Sequence, residues 1–152
     1  MKKLSFTFKY QVQPGARKLA KNIKSKLQMY PFIPVRFYSK TKRSPVFEAL
    51  IDSGADTIYL HKAIAEDLDL AKGKKIESSG MGGKYMSFEA EVGLIIGRGG
   101  READLGFTQA IFPENELDVP ILIGRKPVFE EYQVIFEDYK KRFKLIPKED
   151  VL

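Results

Sequence analysis

The sequence predicts an all-β, barrel-like domain of short strands with one or two short helices. Two observations support this prediction. Short alternating or continuously apolar stretches recur along the chain, and turns rich in glycine, proline and polar residues separate them. Helical spacing of apolar residues is confined to short segments, which is typical of a barrel or sandwich rather than a helical fold. A length of 152 residues suits one domain.

The first half of the chain contains three predicted strands and two predicted helices. Apolar and polar residues alternate over residues 4–11, which predicts a strand. After a Pro-Gly break, apolar residues recur every fourth position among lysines, which predicts a short basic amphipathic helix over 16–29. Residues 33–37 alternate again, and 46–51 form the nearly continuous apolar run of a buried strand. A short helix is predicted over 61–70.

The second half of the chain is predicted to be almost entirely strand. Residues 78–83 are rich in turn formers, and clear alternation follows over 85–96. Further strands are predicted over 103–112 and at 121–123. Residues 125–131 form one or two helical turns, and 132–146 read as a closing hairpin because two alternating runs flank a polar turn.

Composition excludes several kinds of site. The chain has no cysteine, so it has no disulfide, no thiolate metal site and no thiol nucleophile. Its single histidine, His61, excludes a multi-histidine metal site within one chain. No apolar stretch approaches the ~20 residues that span a bilayer. We therefore expect a cytoplasmic protein.

The net charge of +6 is unevenly distributed. Residues 1–43 hold twelve lysines and arginines and no acidic residue, whereas the remainder holds 14 basic and 20 acidic residues. We place a boundary near residue 30, between a basic N-terminal extension, 1–30, and the main domain, 31–152. The basic segment 1–43 is compatible with binding nucleic acid or an anionic membrane. It is equally compatible with covering the acidic body of its own or a second subunit.

The strongest candidate for chemistry is a carboxylate that follows the buried strand 46–51. Asp52 enters a tight turn, the Ser53 hydroxyl beside it can lock the loop by hydrogen bonding, and Gly54 allows close backbone approach. Such a position can hold a carboxylate partly away from water. The triplet alone is weak evidence, because Asp-Ser-Gly is also common turn chemistry.

Three segments in order give the triplet its context. The segment 49–56, Ala-Leu-Ile-Asp-Ser-Gly-Ala-Asp, resembles the active-site segment of the retroviral-type (retropepsin-like) aspartic proteases. Residues 80–83, Gly-Met-Gly-Gly, resemble the glycine-rich flap hairpin of that family, and 121–125, Ile-Leu-Ile-Gly-Arg, resemble its element near the C-terminus. The resemblance covers about residues 33–146 and implies the acid-protease barrel, in a single-domain cellular member. It implies no metal and no organic cofactor.

The resemblance also implies roles for individual residues. Asp52 would be the catalytic carboxylate, and Ser53 and Gly54 would support the active-site loop, with Ser53 bracing two such loops across a dimer. Asp56 would pair with Arg125, either to bind the substrate backbone or as a purely structural ion pair. The residues that would contact substrate come from the loop and the flap: Gly54, Ala55, Asp56, Gly80, Met81, Gly82 and Gly83.

One D-[ST]-G motif per chain predicts the assembly. Peptide hydrolysis by aspartic proteases uses two carboxylates that share a proton, so only a twofold homodimer would supply the second Asp52. For the interface we favour the hairpin 132–146 over the strand 4–10. Two readings follow: an aspartic endopeptidase acting on a peptide or protein substrate under two flaps, or a non-proteolytic dimeric peptide-binding module of the same fold.

Overall fold

The computed structural model describes residues 3–13, 28–80 and 83–151. Most of the helix predicted over 16–29 lies outside these residues, as do Met81 and Gly82. Met29, the last residue of that prediction, belongs to a short strand instead. Within the described ranges, no helix is long and apolar enough to cross a membrane.

Strands dominate the described part of the chain. They are β1 Phe6–Lys9, β2 Gln11–Val12, β3 Met29–Tyr30, β4 Phe32–Tyr38, β5 Phe47–Ile51, β6 Ile58–Tyr59, β7 Lys75–Gly80, β8 Gly83–Arg98, β9 Arg101–Pro113, β10 Leu122–Ile123, β11 Tyr132–Glu137 and β12 Arg142–Pro147. One α-helix, α1, spans Lys62–Asp67. Single helical turns occupy Arg125–Phe129, Asp138–Lys140 and Lys148–Asp150. The all-β prediction is confirmed.

Six strands close into a barrel. Their order is β4-β5-β10-β6-β9-β8, and β8 pairs again with β4 to complete the ring. β10 runs parallel to β5 and antiparallel to β6, while β6 runs parallel to β9. The short β10 and β6 therefore lie between longer strands, and the ends of β5 and β10 come together at one rim of the barrel.

The barrel interior follows from the period-two alternation of its strands. On β4, Ile33, Val35 and Phe37 are fully buried, as are Leu94 and Ile96 on β8. Side chains from β5, β6, β9 and β10 complete the same cluster: Ala49, Ile51, Ile58, Ala110, Phe112 and Ile123. A continuous apolar core thus holds the barrel strands in register.

The longest strand, β8, takes part in both the barrel and a hairpin with β7. Its residues from Ser87 onward pair with β9, whereas its first residues pair with β7. The β7–β8 pair, which we call the flap hairpin, extends beyond the barrel. The interpretation of 78–83 as turns was wrong at residues 78–80, which belong to β7, and at Gly83, which begins β8. The sequence of β7, Lys-Ile-Glu-Ser-Ser-Gly, is mostly polar, which fits a strand in which only one residue is buried.

The two ends of the described chain form a separate three-stranded sheet in the order β1-β12-β11. Phe6 lies opposite Leu145 and Phe8 opposite Phe143, whose rings are 5.4 Å apart between centroids. Phe6 and Tyr10 are buried in the hydrophobic core. The predicted closing hairpin is present as β11 and β12, and β1 adds to it. The boundary near residue 30 stays a prediction. Strand β1, which belongs to the predicted N-terminal extension, nevertheless pairs with β12 of the main domain.

Candidate active site

Asp52 is held at the rim where β5 and β10 end. Its backbone N–H donates to the Ile123 carbonyl at 3.0 Å, which continues the parallel pairing of the two strands. The Gly54 N–H donates to Asp52 Oδ1 at 2.8 Å. Asp52 as a whole residue is partly exposed. Its orientation is therefore set by the backbone of the loop 52–57, which we call the acidic loop.

Gly124 allows the chain after β10 to pass directly against the acidic loop. A Cβ atom at this position would lie 2.3 Å from the Ala55 carbonyl oxygen and 2.6 Å from that of Thr57. Because the passage is so close, the Arg125 N–H donates to the Ala55 carbonyl at 2.8 Å, and the Lys126 N–H to the Asp56 carbonyl at 3.1 Å. The two segments that the sequence analysis singled out thus support each other.

Asp56 and Arg125 form an ion pair at the surface of the acidic loop. The Arg125 side chain is 58% exposed and that of Asp56 74%. Water screens such a pair, so its contribution to stability is small, typically ~0–1 kcal/mol. Both side chains remain accessible to a ligand lying along the loop.

Two residues, one in the acidic loop and one just after it, were given no role by the sequence analysis. The buried Thr57 donates its hydroxyl to the Gln109 carbonyl, which ties the loop to β9. Tyr59, two residues further on β6, is half-buried. Burial raises the pKa of Tyr59, and the negative charges of Asp56 and Asp52 add to that increase. The alternation of the segment was a usable signal, since Thr57 and Tyr59 share one face while Ile58 and Leu60 are buried on the other.

A groove of about 800 Å³ lies between the acidic loop and β7. Gly54, Asp56 and Arg125 line one side, and residues 76–79 of the flap hairpin line the other. Gly80 lies opposite Gly83, whose φ of +82° favours glycine, where the hairpin turns back. The lining of the groove is largely polar and includes charged side chains such as Asp56, Glu77 and Arg125.

Comparison with solved structures identifies the fold. The structure of a retropepsin-like aspartic protease from Rickettsia conorii matches with a TM-score of 0.52 and 15% identity, over 75% of this chain and 89% of that chain. The protein has a retropepsin-like fold. EIAV protease complexed with the inhibitor HBY-793 also matches, with a TM-score of 0.42 and 21% identity, over 72% of this chain and 90% of that chain. No protein-family model and no curated protein sequence matches the chain.

Within this retropepsin-like fold, the sequence-predicted residues form two groups. Asp52, Ser53, Gly54, Ala55 and Asp56 form the acidic loop, where Ser53 is exposed and Ala55 is buried. Gly80 and Gly83 lie opposite each other on the flap hairpin, and residues 76–79 of the same hairpin line the groove. Met81 and Gly82 were predicted at the tip and lie outside the described residues.

His61 has a structural contact in the retropepsin-like fold. It lies directly before α1, and its Nε2 is 2.6 Å from the Val119 carbonyl oxygen, which fastens the segment before β10. Among residues 3–13, 28–80 and 83–151, no group of three or more histidine, cysteine, aspartate and glutamate side chains is placed to hold a metal ion.

Proposed function

We propose that the protein is an aspartic endopeptidase whose active site is completed by a second copy of the chain. The observation that carries this proposal is the placement of Asp52. Its carboxylate oxygen accepts from the Gly54 N–H in a loop braced by the Gly124 segment, beside a groove that the flap hairpin covers. This arrangement, in a retropepsin-like fold, supports peptide hydrolysis better than any other activity.

The chemistry requires two such carboxylates. When two aspartates lie close enough to share one proton, one ionised carboxylate can accept a proton from water while the other donates one to the peptide carbonyl oxygen. The water oxygen then attacks the carbonyl carbon. Each chain supplies one Asp52 in this setting, so the reaction needs a homodimer with Asp52 near its twofold axis.

The C-terminal sheet supports an interface between two copies. Both edges of β12 are occupied, by β1 and β11. Within the described residues, β11 pairs along one edge only, and an open strand edge is a ready surface for pairing with another chain. The hairpin predicted as the interface therefore offers its β11 edge for a second copy.

The basic segment 1–43 is the basis of the alternative binding proposal. Among the residues of this segment that the structure describes, 3–13 and 28–43, three charges pair with acidic residues beyond the segment: Lys3 with Glu131, Arg36 with Glu102, and Lys42 with Asp69. These contacts favour the reading in which the segment covers the acidic body of its own subunit. Binding to nucleic acid or an anionic membrane, and the cytoplasmic location, stay predictions.

The endopeptidase proposal is tested with a peptide mixture between pH 4 and pH 7. We expect wild-type protein to cleave internal peptide bonds, and Asp52→Asn to lose at least about a thousandfold in rate, since the altered group no longer exchanges a proton. The matched control is Asp67→Asn, which changes an exposed carboxylate on α1 and should keep the wild-type rate. Light scattering should give twice the 17.3 kDa mass of one chain.

Three outcomes would overturn parts of this proposal. Equal cleavage by Asp52→Asn and wild type would remove the catalytic assignment. Full activity at a monomer's mass would remove the shared site. A dimer that binds peptides without cleaving them would establish the non-proteolytic peptide-binding module instead.

A further inference from the structure

The outer face of the terminal sheet, β1-β12-β11, concentrates positive charge at the end where β11 turns into β12. Phe8 and its partner Phe143 pack in the core, so Lys9 and its partner Arg142, one position further along, lie on the opposite face. Lys144 shares that face because it is two residues from Arg142. Together with the turn they form a surface that we call the basic end: Lys9, Tyr139, Lys140, Lys141, Arg142 and Lys144.

Acidic neighbours neutralise only part of this charge. Glu137 pairs with three of the five cations, and Asp138 pairs with a fourth. The fifth, Lys9, forms no ion pair within the described residues. With five cations and two carboxylates, the surface keeps a net charge of +3. Lys9 also lies directly opposite Arg142 in the sheet, and like charges in that position destabilise strand pairing.

Lys141 places a cation in a backbone conformation that glycine favours. Its φ is +52°, in the left-handed region that residues with a Cβ disfavour. Its backbone N–H closes the turn by donating to the Asp138 carbonyl at 3.1 Å, and glycine would make the same bond. Its amine pairs with the Asp138 carboxylate, but both side chains are exposed and such a pair contributes little. The fold alone therefore does not account for a lysine here.

An aromatic ring lies among these cations. Tyr139 is 79% exposed, and the Lys140 amine is 5.5 Å from the centre of its ring. Single-stranded nucleic acids bind to surfaces of this kind, since bases stack on exposed aromatic rings while the phosphates contact lysine and arginine. An acidic peptide would satisfy the charges and leave the ring without a planar partner.

We propose that the basic end binds single-stranded nucleic acid, with a base stacked on Tyr139 and phosphates held by Lys9, Lys141 and Lys144. One ligand then accounts for three features that bring the free protein no stability: the opposed charges, the lysine with positive φ and the exposed ring. Lys9 comes from β1 and the other residues from the opposite end of the described chain, so the surface exists only when β1 is paired with β12. The inference goes beyond the proposed function and requires neither the groove nor Asp52.

Fluorescence anisotropy measures the binding of labelled single strands of about 12 nucleotides, DNA and RNA of the same mixed sequence, to the full chain. We expect a dissociation constant of roughly 1–100 μM at about 50 mM salt. Three phosphate contacts also predict that the logarithm of the association constant falls against the logarithm of the salt concentration with a slope of about −2. A duplex of the same sequence, a polyglutamate peptide and vesicles with about 30% phosphatidylserine are measured as alternative partners.

Matched variants assign the binding to this surface. Tyr139→Ala removes the exposed ring and should weaken binding at least about fivefold, whereas Tyr139→Phe should stay within about twofold of wild type. Lys9→Gln should reduce the magnitude of the salt slope by about 0.7. Lys74→Gln, which removes an exposed charge just before β7, should leave the slope unchanged. Lys141→Gly should reduce the slope as Lys9→Gln does, without a fall in melting temperature, because glycine suits the positive φ.

Several outcomes would overturn the inference. An absence of binding at about 50 mM salt would remove it. Binding that survives Tyr139→Ala and Lys9→Gln unchanged, in proteins that circular dichroism shows to be folded, would place the nucleic acid elsewhere. Tighter binding of the duplex, the polyglutamate or the vesicles would assign the basic end to that partner instead. The assay includes no cleavage, so these outcomes leave the endopeptidase proposal intact, and Asp52→Asn should bind the single strands as wild type does.

Discussion

Gly124 supports the acidic loop by having no side chain, and Gly124→Ala tests that role. In the present backbone the new Cβ would lie 2.3 Å from the Ala55 carbonyl oxygen, and real Cβ atoms essentially never come within 3.0 Å of another heavy atom. The three nearest atoms that it meets, two of Ala55 and one of Thr57, all belong to the backbone. The loop must therefore move as a unit, since no flexible side-chain end can turn away.

The expected cost has two parts. Introducing a methyl group into a filled space costs about 1–3 kcal/mol. Displacing the Ala55 carbonyl also weakens the hydrogen bond that it accepts from the Arg125 N–H at 2.8 Å, worth about 0.5–1.5 kcal/mol. We expect the free energy of unfolding to fall by roughly 2–4 kcal/mol, and the melting temperature by roughly 5–15 °C.

The assay is urea and thermal unfolding followed by circular dichroism, with all proteins at one concentration because dimer stability depends on it. Gly80→Ala is the matched control, since a Cβ at Gly80 would have no heavy atom within 4 Å. A Gly124→Ala protein that unfolds within about 0.5 kcal/mol of wild type would refute the reasoning, because the loop would then tolerate the contact that the geometry forbids.

Three further predictions concern the terminal sheet, the exposed ion pair and pH. Phe6→Ala should lower the free energy of unfolding by about 3–5 kcal/mol, because Phe6 is 4% exposed; a loss under about 1 kcal/mol in urea unfolding would show that β1 is a dispensable extension. Asp56→Asn should change stability by less than about 1 kcal/mol and raise KM at similar kcat if Asp56 binds substrate, whereas unchanged steady-state kinetics would leave only the structural pair. Hydrogen bonding to Arg142 lowers the pKa of Glu137 from 4.5 to about 2, so its ionised form stabilises the fold above pH 4.5 and this contribution is lost as pH falls towards 2. Unfolding measured from pH 5 to pH 2 should show a shallower decline in Glu137→Gln, and equal declines would contradict the assignment.

The local parts of the site were predictable from the sequence. The apolar run before Asp52 and the three apolar residues 121–123 before Gly124 each place a turn directly after a buried strand. Both signals are contained in a few consecutive residues. The strands with clear alternation, such as β4 and β12, were predicted for the same reason. Each of these features is determined by residues within one strand and the turn that follows it.

Features that depend on distant partners were not predictable in this way. β7 has little apolar alternation, and it is a strand because β8 supplies its hydrogen bonds. The pairing of β1 with β12 joins segments that no local pattern connects. The position of Tyr59 at the groove depends on the two-residue strand β6 lying between β10 and β9, which only the closed barrel reveals.

The pairing of β1 with β12 also sets the order of events during synthesis. Phe6 emerges from the ribosome early, whereas its partner Leu145 is made nearly a full chain length later. Contacts of such long sequence separation slow folding, because the intervening loop must close before they form. The first strand thus waits with its apolar face exposed until β12 arrives. Because β11 lies in that same sheet, an interface built on its open edge would form only after β12 has been made, and the proposed enzyme would remain inactive until then.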